Sequence, residues 1–160
     1  MKIVITENQF EKLKEPKVLH IPSLEIFDND WDKLQTYLSR KGSPLYSLGG
    51  DLDLRNTPIK SLGNLTSVEG NLDLENTSIE SLGNLTSVGG YLDLQNTQIK
   101  SLGNLTSVGG YLDLTNTPIE SLGNLTSVGD DLFLQNTPMS RKYNKQKIRQ
   151  MANIEGNIYL

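Results

Sequence analysis

The chain contains no cysteine, a single histidine and a single tryptophan. Without cysteine there is no disulfide framework and no thiolate nucleophile, a composition that fits a reducing compartment. His20, the one imidazole, sits between Leu19 and Ile21 beside a proline and reads as structural. Neither a zinc site nor a histidine-based catalytic relay is therefore expected. Long hydrophobic runs are also missing. No stretch approaches membrane-spanning length, and "MKIVITENQF" has neither the apolar core nor the small-residue cleavage site of a secretory signal. These absences predict a cytoplasmic protein without membrane contact. The "NLT" sequons at Asn64, Asn84, Asn104 and Asn124 are then repeat chemistry rather than sugar attachment sites.

Positive charge is scarce in one region. Residues 51–139 carry three basic and eleven acidic side chains, against seven of each in residues 1–50 and five basic with one acidic in residues 140–160. In chain order from residue 1 the net charges of these segments are 0, −8 and +4, within an overall −4. Nucleic-acid binding rests on neutralising phosphates, so the acidic middle argues against it. Only the basic segment Arg141, Lys142, Lys145, Lys147 and Arg149 offers a candidate patch, and it lacks interleaved aromatics apart from Tyr143 and any recognised motif. A solvated outer helix face is the favoured reading of it.

What the chain has instead is repetition with a period of twenty residues. Leu52, Leu72, Leu92, Leu112 and Leu132 form one column, and Leu54, Leu74, Leu94, Leu114 and Leu134 stand two residues later. Further columns hold Ile59, Ile79, Ile99, Ile119 and Met139, then Leu62 to Leu122, Leu65 to Leu125, and Val68 to Val128. Twenty residues are too few for a helix pair and suit one strand and a compact return. "YLDL" has strand alternation, with leucines inward and Tyr91 and Asp93 outward. "NT" turns the chain out of the strand, because short polar side chains bond nearby backbone, and "LGNL" carries it back along the far side.

The pattern L-x-L-x-N-T-x-I-x-S-L-G-N-L over about residues 45–140 resembles the leucine-rich repeat in a short bacterial or viral form. That resemblance implies a right-handed solenoid with one parallel sheet of about six short strands. A parallel β-helix with two or three strands per coil is the alternative. Thr57, Thr77, Thr97, Thr117 and Thr137 stand where the family consensus has a buried asparagine, and Asn comes one residue earlier, which leaves the hydrogen bonding of the turn open. "MKIVITENQF" and "IRQMANIEGNIYL" resemble segments of bacteriophage proteins that carry such repeats, implying a viral origin.

Helices are expected to cap both ends of one compact domain. Residues 1–43 form an N-terminal segment and capping helix, residues 44–140 the repeats, and residues 141–160 a C-terminal capping helix and last strand. In "DNDWDKLQTYLSRKG", Asp28 or Asp30 can cap, Trp31, Leu34 and Leu38 share a face, and Gly42 terminates. Before it, "MKIVIT" reads as a strand, "ENQFEKLKE" as a helix, and "KVLHIPSLEIF" as a strand pair or irregular extended segment. "SRKYNKQKIRQMA" reads as one helix in place of a return path, and "NIEGNIYL" restores the strand columns.

Because the frame repeats, the outward positions that vary carry the functional information. One column reads Asp51, Asn71, Tyr91, Tyr111, Asp131; the next Asp53, Asp73, Asp93, Asp113, Phe133; the third Arg55, Glu75, Gln95, Thr115, Gln135. Tyrosines on a rigid polar surface are common binding anchors. The aspartate column reads as a solvated row paired with turn amides; a basic partner or Ca²⁺ is its other reading. No catalytic set and no cofactor- or metal-binding motif stands out. The expectation is a non-enzymatic module that binds a protein partner through its sheet face. The alternatives are a structural virion or assembly component that docks or self-associates through the solenoid ends, and an enzyme of unrecognised type.

Overall fold

In a computed structural model that describes residues 17–160, the leucine columns are the interior of a parallel β-solenoid. From Tyr46 onward each coil contributes one short strand to a back sheet and one to a front sheet, and Leu19–Ile21 adds a further strand to the back sheet. The front sheet has six strands: Leu52–Asp53, Leu72–Asp73, Leu92–Asp93, Leu112–Asp113, Leu132–Phe133 and Ile158–Tyr159. The back sheet has seven: Leu19–Ile21, Tyr46–Leu48, Leu65–Val68, Ser87–Val88, Ser107–Val108, Ser127–Val128 and Asn153–Ile154. All pairings are parallel and follow chain order. The six-stranded front sheet is the one the repeats predict. The return path is a second sheet, as in the two-strand coil of the alternative reading.

Identical residues pair across coils because the offset is twenty: Leu72 lies against Leu92, and Val88 against Val108. The hydrogen bonds run opposite ways in the two sheets. On the front, Leu74 N–H donates to the carbonyl of Asp93 in the following coil (2.9 Å); on the back, Gly89 N–H donates to Val68 in the preceding one (2.9 Å). Leucine, isoleucine and valine from both sheets fill one continuous core from Ile21 to Ile158. At about 1.5–3 kcal/mol for each fully buried aliphatic side chain, these ladders are the main favourable term.

The turn after each of the first five front strands begins in the same way. Asn56, Asn76, Asn96, Asn116 and Asn136 all take left-handed backbone, with φ between 57° and 61°, a region asparagine tolerates better than most residues. Their side chains form an exposed ladder in which Asn96 Nδ2 donates to Asn76 Oδ1 (2.9 Å) and Asn116 Nδ2 to Asn96 Oδ1 (3.0 Å). The following threonine points inward. Thr97 Oγ1 donates to the carbonyl of Leu94 (2.7 Å), and Thr77, Thr117 and Thr137 repeat this bond. So asparagine links neighbouring coils outside, while threonine satisfies its own coil's backbone inside. On the back sheet the coils approach so closely that a Cβ on Gly109 would lie 2.0 Å from the carbonyl oxygen of Gly89.

Helix α1 (Trp31–Arg40) starts at Asp30, whose carboxylate accepts from Asp32 N and Lys33 N, and buries Leu34 and Leu38 in the core. Gln35 from the same helix donates to Tyr46 Oη (3.0 Å), which donates in turn to the carbonyl of Leu62 (2.9 Å). Upstream, the extended segment resolves into the strand Leu19–Ile21 and a 3₁₀ turn at Leu24–Phe27. The strand and helix expected in "MKIVIT" and "ENQFEKLKE" lie outside the described residues. Downstream, the single expected helix is two: α2 (Pro138–Lys142), capped by Thr137, and α3 (Lys145–Arg149), capped by Asn144. Tyr143 and Asn144 between them are extended, because the Asn144 side chain binds Lys147 N (2.8 Å) and starts a new helix. Both helices belong to the coil that ends in Asn153–Ile154 and Ile158–Tyr159, so the last rungs of both sheets are strands.

Candidate functional site

The expected site residues all belong to the front sheet and its margins, but they divide by role. Asp51, Asn71 and Asp131 are structural. Their side-chain oxygens accept backbone N–H groups of the next coil: Asp51 from Asn71 (2.7 Å), Asn71 from Tyr91 (3.0 Å) and Asp131 from Asn157 (2.6 Å). Glycine is required beside this cap: a Cβ on Gly90 would stand 2.1 Å from Asn71 Oδ1.

Where that column holds tyrosine, the rings stack. Tyr91 and Tyr111 are parallel, with centroids 4.7 Å apart and planes inclined by 3°. Phe133 meets Tyr111 edge-to-face at 6.1 Å and stacks on Tyr159 at 4.8 Å. Four rings therefore form one row across four successive coils. Tyr159, 38 % exposed, is absent from the expected set. The signal was present, because "NIYL" places Tyr159 in the column of Phe133, with which it pairs.

The aspartate column is not uniformly solvated. Asp53 is exposed and Asp113 half-buried, whereas Asp73 and Asp93 are buried, the latter only 7 % exposed. Each carboxylate accepts the backbone N–H two residues on, from Arg55, Glu75, Gln95 and Thr115 respectively. This is the turn-amide pairing the sequence suggests; the burial is a correction to it. Removal from water pushes the Asp93 carboxyl up to about 6; its bonds to Gln95 oppose this, and neighbouring Asp113 and Asp73 add to it. Burial, and then the carboxylate of Asp93, push the Tyr111 phenol up to about 12.

The third column supplies partners where its side chains reach. Arg55 binds Asp53 through Nε and Nη2, the latter at 2.6 Å, and its Nη1 lies 3.6 Å from Asp73. Gln95 Nε2 donates to Asp93 Oδ2 (3.0 Å). Thr115 is too short to reach Asp113 and turns to Gln135 (3.3 Å). Glu75 accepts from Asn76 (3.2 Å). Among the described residues, Asp73, Glu75 and Asp93 are the one trio whose oxygens lie close enough together, within 4.8 Å, to share a metal ion. Their partners are Arg55, Gln95 and turn amides.

The back sheet presents a shallow trough of about 630 Å³ lined by Ser67, Ser87, Ser107 and Ser127 with glycine backbone between them, and bordered by Glu69 and Glu155. The serines are the same in each of these coils, so the differences between coils carry no sign of them. The basic side chains Arg141, Lys142, Lys145, Lys147 and Arg149 are exposed, but Arg149 is engaged by the carbonyls of Ile154 and Gly156. Lys142 lies over the Tyr143 ring. His20 contacts Ser47 (3.1 Å) on the outer face of the back sheet. Among the described residues, no helix is long and apolar enough to cross a membrane.

Fold and site together define a two-sheet parallel β-solenoid with an aromatic row on an acidic front face. No protein-family model, curated protein or solved structure matches the chain.

Proposed function

We infer that this chain is a non-enzymatic binding module whose front sheet engages another protein. The observation that carries the reading is the row Tyr91, Tyr111, Phe133 and Tyr159, held on consecutive rungs of one hydrogen-bonded sheet. Aromatic rings that are already ordered lose little freedom on binding and bring large contact areas, which is why they dominate interface energetics. The likeness of the repeat to leucine-rich repeats, whose sheet faces bind partners, supports the same reading. So does the shortage of catalytic groups: one histidine, no cysteine, and carboxylates already paired with amides or Arg55.

The test is affinity capture with the native chain beside a Tyr91→Ala, Tyr111→Ala double variant whose folding is checked by circular dichroism. Proteins held through the front face are lost from the variant. Recovery of the same proteins in equal yield by both would reject the face as the binding surface.

A further inference from the structure

The front face contains one internal carboxylate–guanidinium pair. Asp53 holds the guanidinium of Arg55 through both carboxylate oxygens, and the same guanidinium reaches toward Asp73 on the next rung. Three rungs along from Asp53, the arrangement recurs without its cation. Asp113 has the same backbone bond, from Thr115 N to Oδ1 (2.8 Å). Its position for a side-chain partner is occupied by Thr115, which bonds Gln135 instead. Among the described residues no cationic side chain forms an ion pair with Asp113, while Asp53, Asp73 and Asp93 each have Arg55 or Gln95 close by.

Asp113 is half-buried where Asp53 is exposed, and their neighbours on the following rung differ as well. There the register partner of Asp113 is Phe133 rather than a second aspartate, and Tyr111 packs edge-to-face with that ring. A carboxylate beside aromatic rings suits a planar guanidinium, which can donate in-plane to oxygen while lying against a ring. An ammonium offers neither the fork nor the stacking plane. In the three outward columns of the front face the carboxylates of Asp51, Asp53, Asp73, Glu75, Asp93, Asp113 and Asp131 stand against the single cation Arg55, an excess that draws a basic segment toward this face.

We propose that Asp113, with Phe133 and Tyr111 beside it, is the seat for an arginine side chain from an extended basic segment of a partner protein, occupied as Asp53 is occupied by Arg55. The proposal rests on the front face being the binding surface.

The probe is a hexa-arginine peptide compared with hexa-lysine, titrated at low salt and followed by calorimetry and by backbone amide shifts. Hexa-arginine is expected to bind about tenfold more tightly than hexa-lysine, the difference a single well-placed charged hydrogen-bonded contact makes, with the largest shifts at Leu112–Leu114 and Phe133. Asp113→Asn, which keeps the oxygen that accepts Thr115 N, should remove that preference. Thr115→Arg rebuilds the Arg55 arrangement on Asp113 and should block the seat from within, so that hexa-arginine no longer shifts Phe133. Equal affinity for the two peptides overturns the proposal, as does hexa-arginine binding that Asp113→Asn leaves unchanged or shifts confined to the serine trough. If hexa-arginine fails to bind while the Tyr91→Ala, Tyr111→Ala variant still loses its captured proteins, the front face stands as the binding surface and the arginine seat is discarded.

Discussion

Asp93 sits in a position that costs stability at neutral pH. Its folded carboxyl titrates at about 6, against an ordinary value of 3.8. Between these values the folded state holds a proton that the unfolded chain has released, so stability falls as pH rises through about 4 to 6 and the loss is complete by neutrality. The separation corresponds to about 3 kcal/mol at most, and solvent at the sheet margin screens it to about 1–2 kcal/mol. Asp93→Asn removes the charge and keeps an oxygen for Gln95 N. We expect the variant to be about 1–2 kcal/mol more stable than the native chain at pH 7, with the gap closing near pH 4, as read from urea unfolding across that range. A gap that stays constant with pH would mean that Asp93 is not the desolvated group. This burial could not be read from "YLDL", where Asp93 occupies an outward position: it arises from neighbouring coils and from Gln95, contacts that strand alternation does not describe. The amide partner two residues on was legible, because aspartate commonly closes such local bonds.

At the scale of the element, each turn depends on two adjacent polar residues with different duties. Replacing Asn96 by alanine forces an ordinary side chain into left-handed backbone and removes two ladder bonds, for an expected loss of about 2–3 kcal/mol. Asn96→Gly loses the same bonds without the steric penalty, so its loss should be about 1 kcal/mol. Guanidinium unfolding of the pair separates the two contributions, and equal losses would show that backbone conformation is not limiting in this turn. Front strands were legible because leucines alternate with polar residues. Back strands were not, because "LTSV" places two outward residues between Leu65 and Val68, which breaks the period of two. The single helix expected after the repeats failed on Asn144, whose capping of Lys147 N divides the segment. Tyr159 was legible, since "NIYL" restores the strand columns, but it stands outside the five twenty-residue copies that define the outward columns, in a last coil where Ile158 pairs to Leu132 at an offset of 26 residues.

The whole molecule behaves as a stack in which each coil meets only its neighbours, so its stability is nearly a sum of coil and interface contributions. Deleting residues 101–120 joins Lys100 to Ser121 and preserves every ladder. The shortened chain should fold cooperatively, with a lower denaturation midpoint and a denaturant slope reduced by about one-eighth, its share of the sequence. Deleting residues 101–110 alone sets front strands where back strands belong, and that chain should not fold. Circular dichroism during urea titration distinguishes the two, and failure of the whole-coil deletion would show coupling beyond nearest neighbours. The solenoid class was legible at this scale because the columns are long and nearly identical.

That sameness creates an addressing problem that the ends resolve. Inside the stack, sliding one coil's pairing by a whole repeat exchanges leucine for leucine and valine for valine, leaving the core almost unchanged. The joints at the margins cannot be exchanged. Tyr46 pairs with Leu65 but Ser47 with Ser67, a skipped residue found at this junction and at no regular coil, and Tyr46 is also tied to Gln35 and Leu62. The 26-residue offset marks the other margin. These two irregular seams act as the first and last ticks of a ruler: identical divisions between them carry no labels, and the count is kept by the marks that differ.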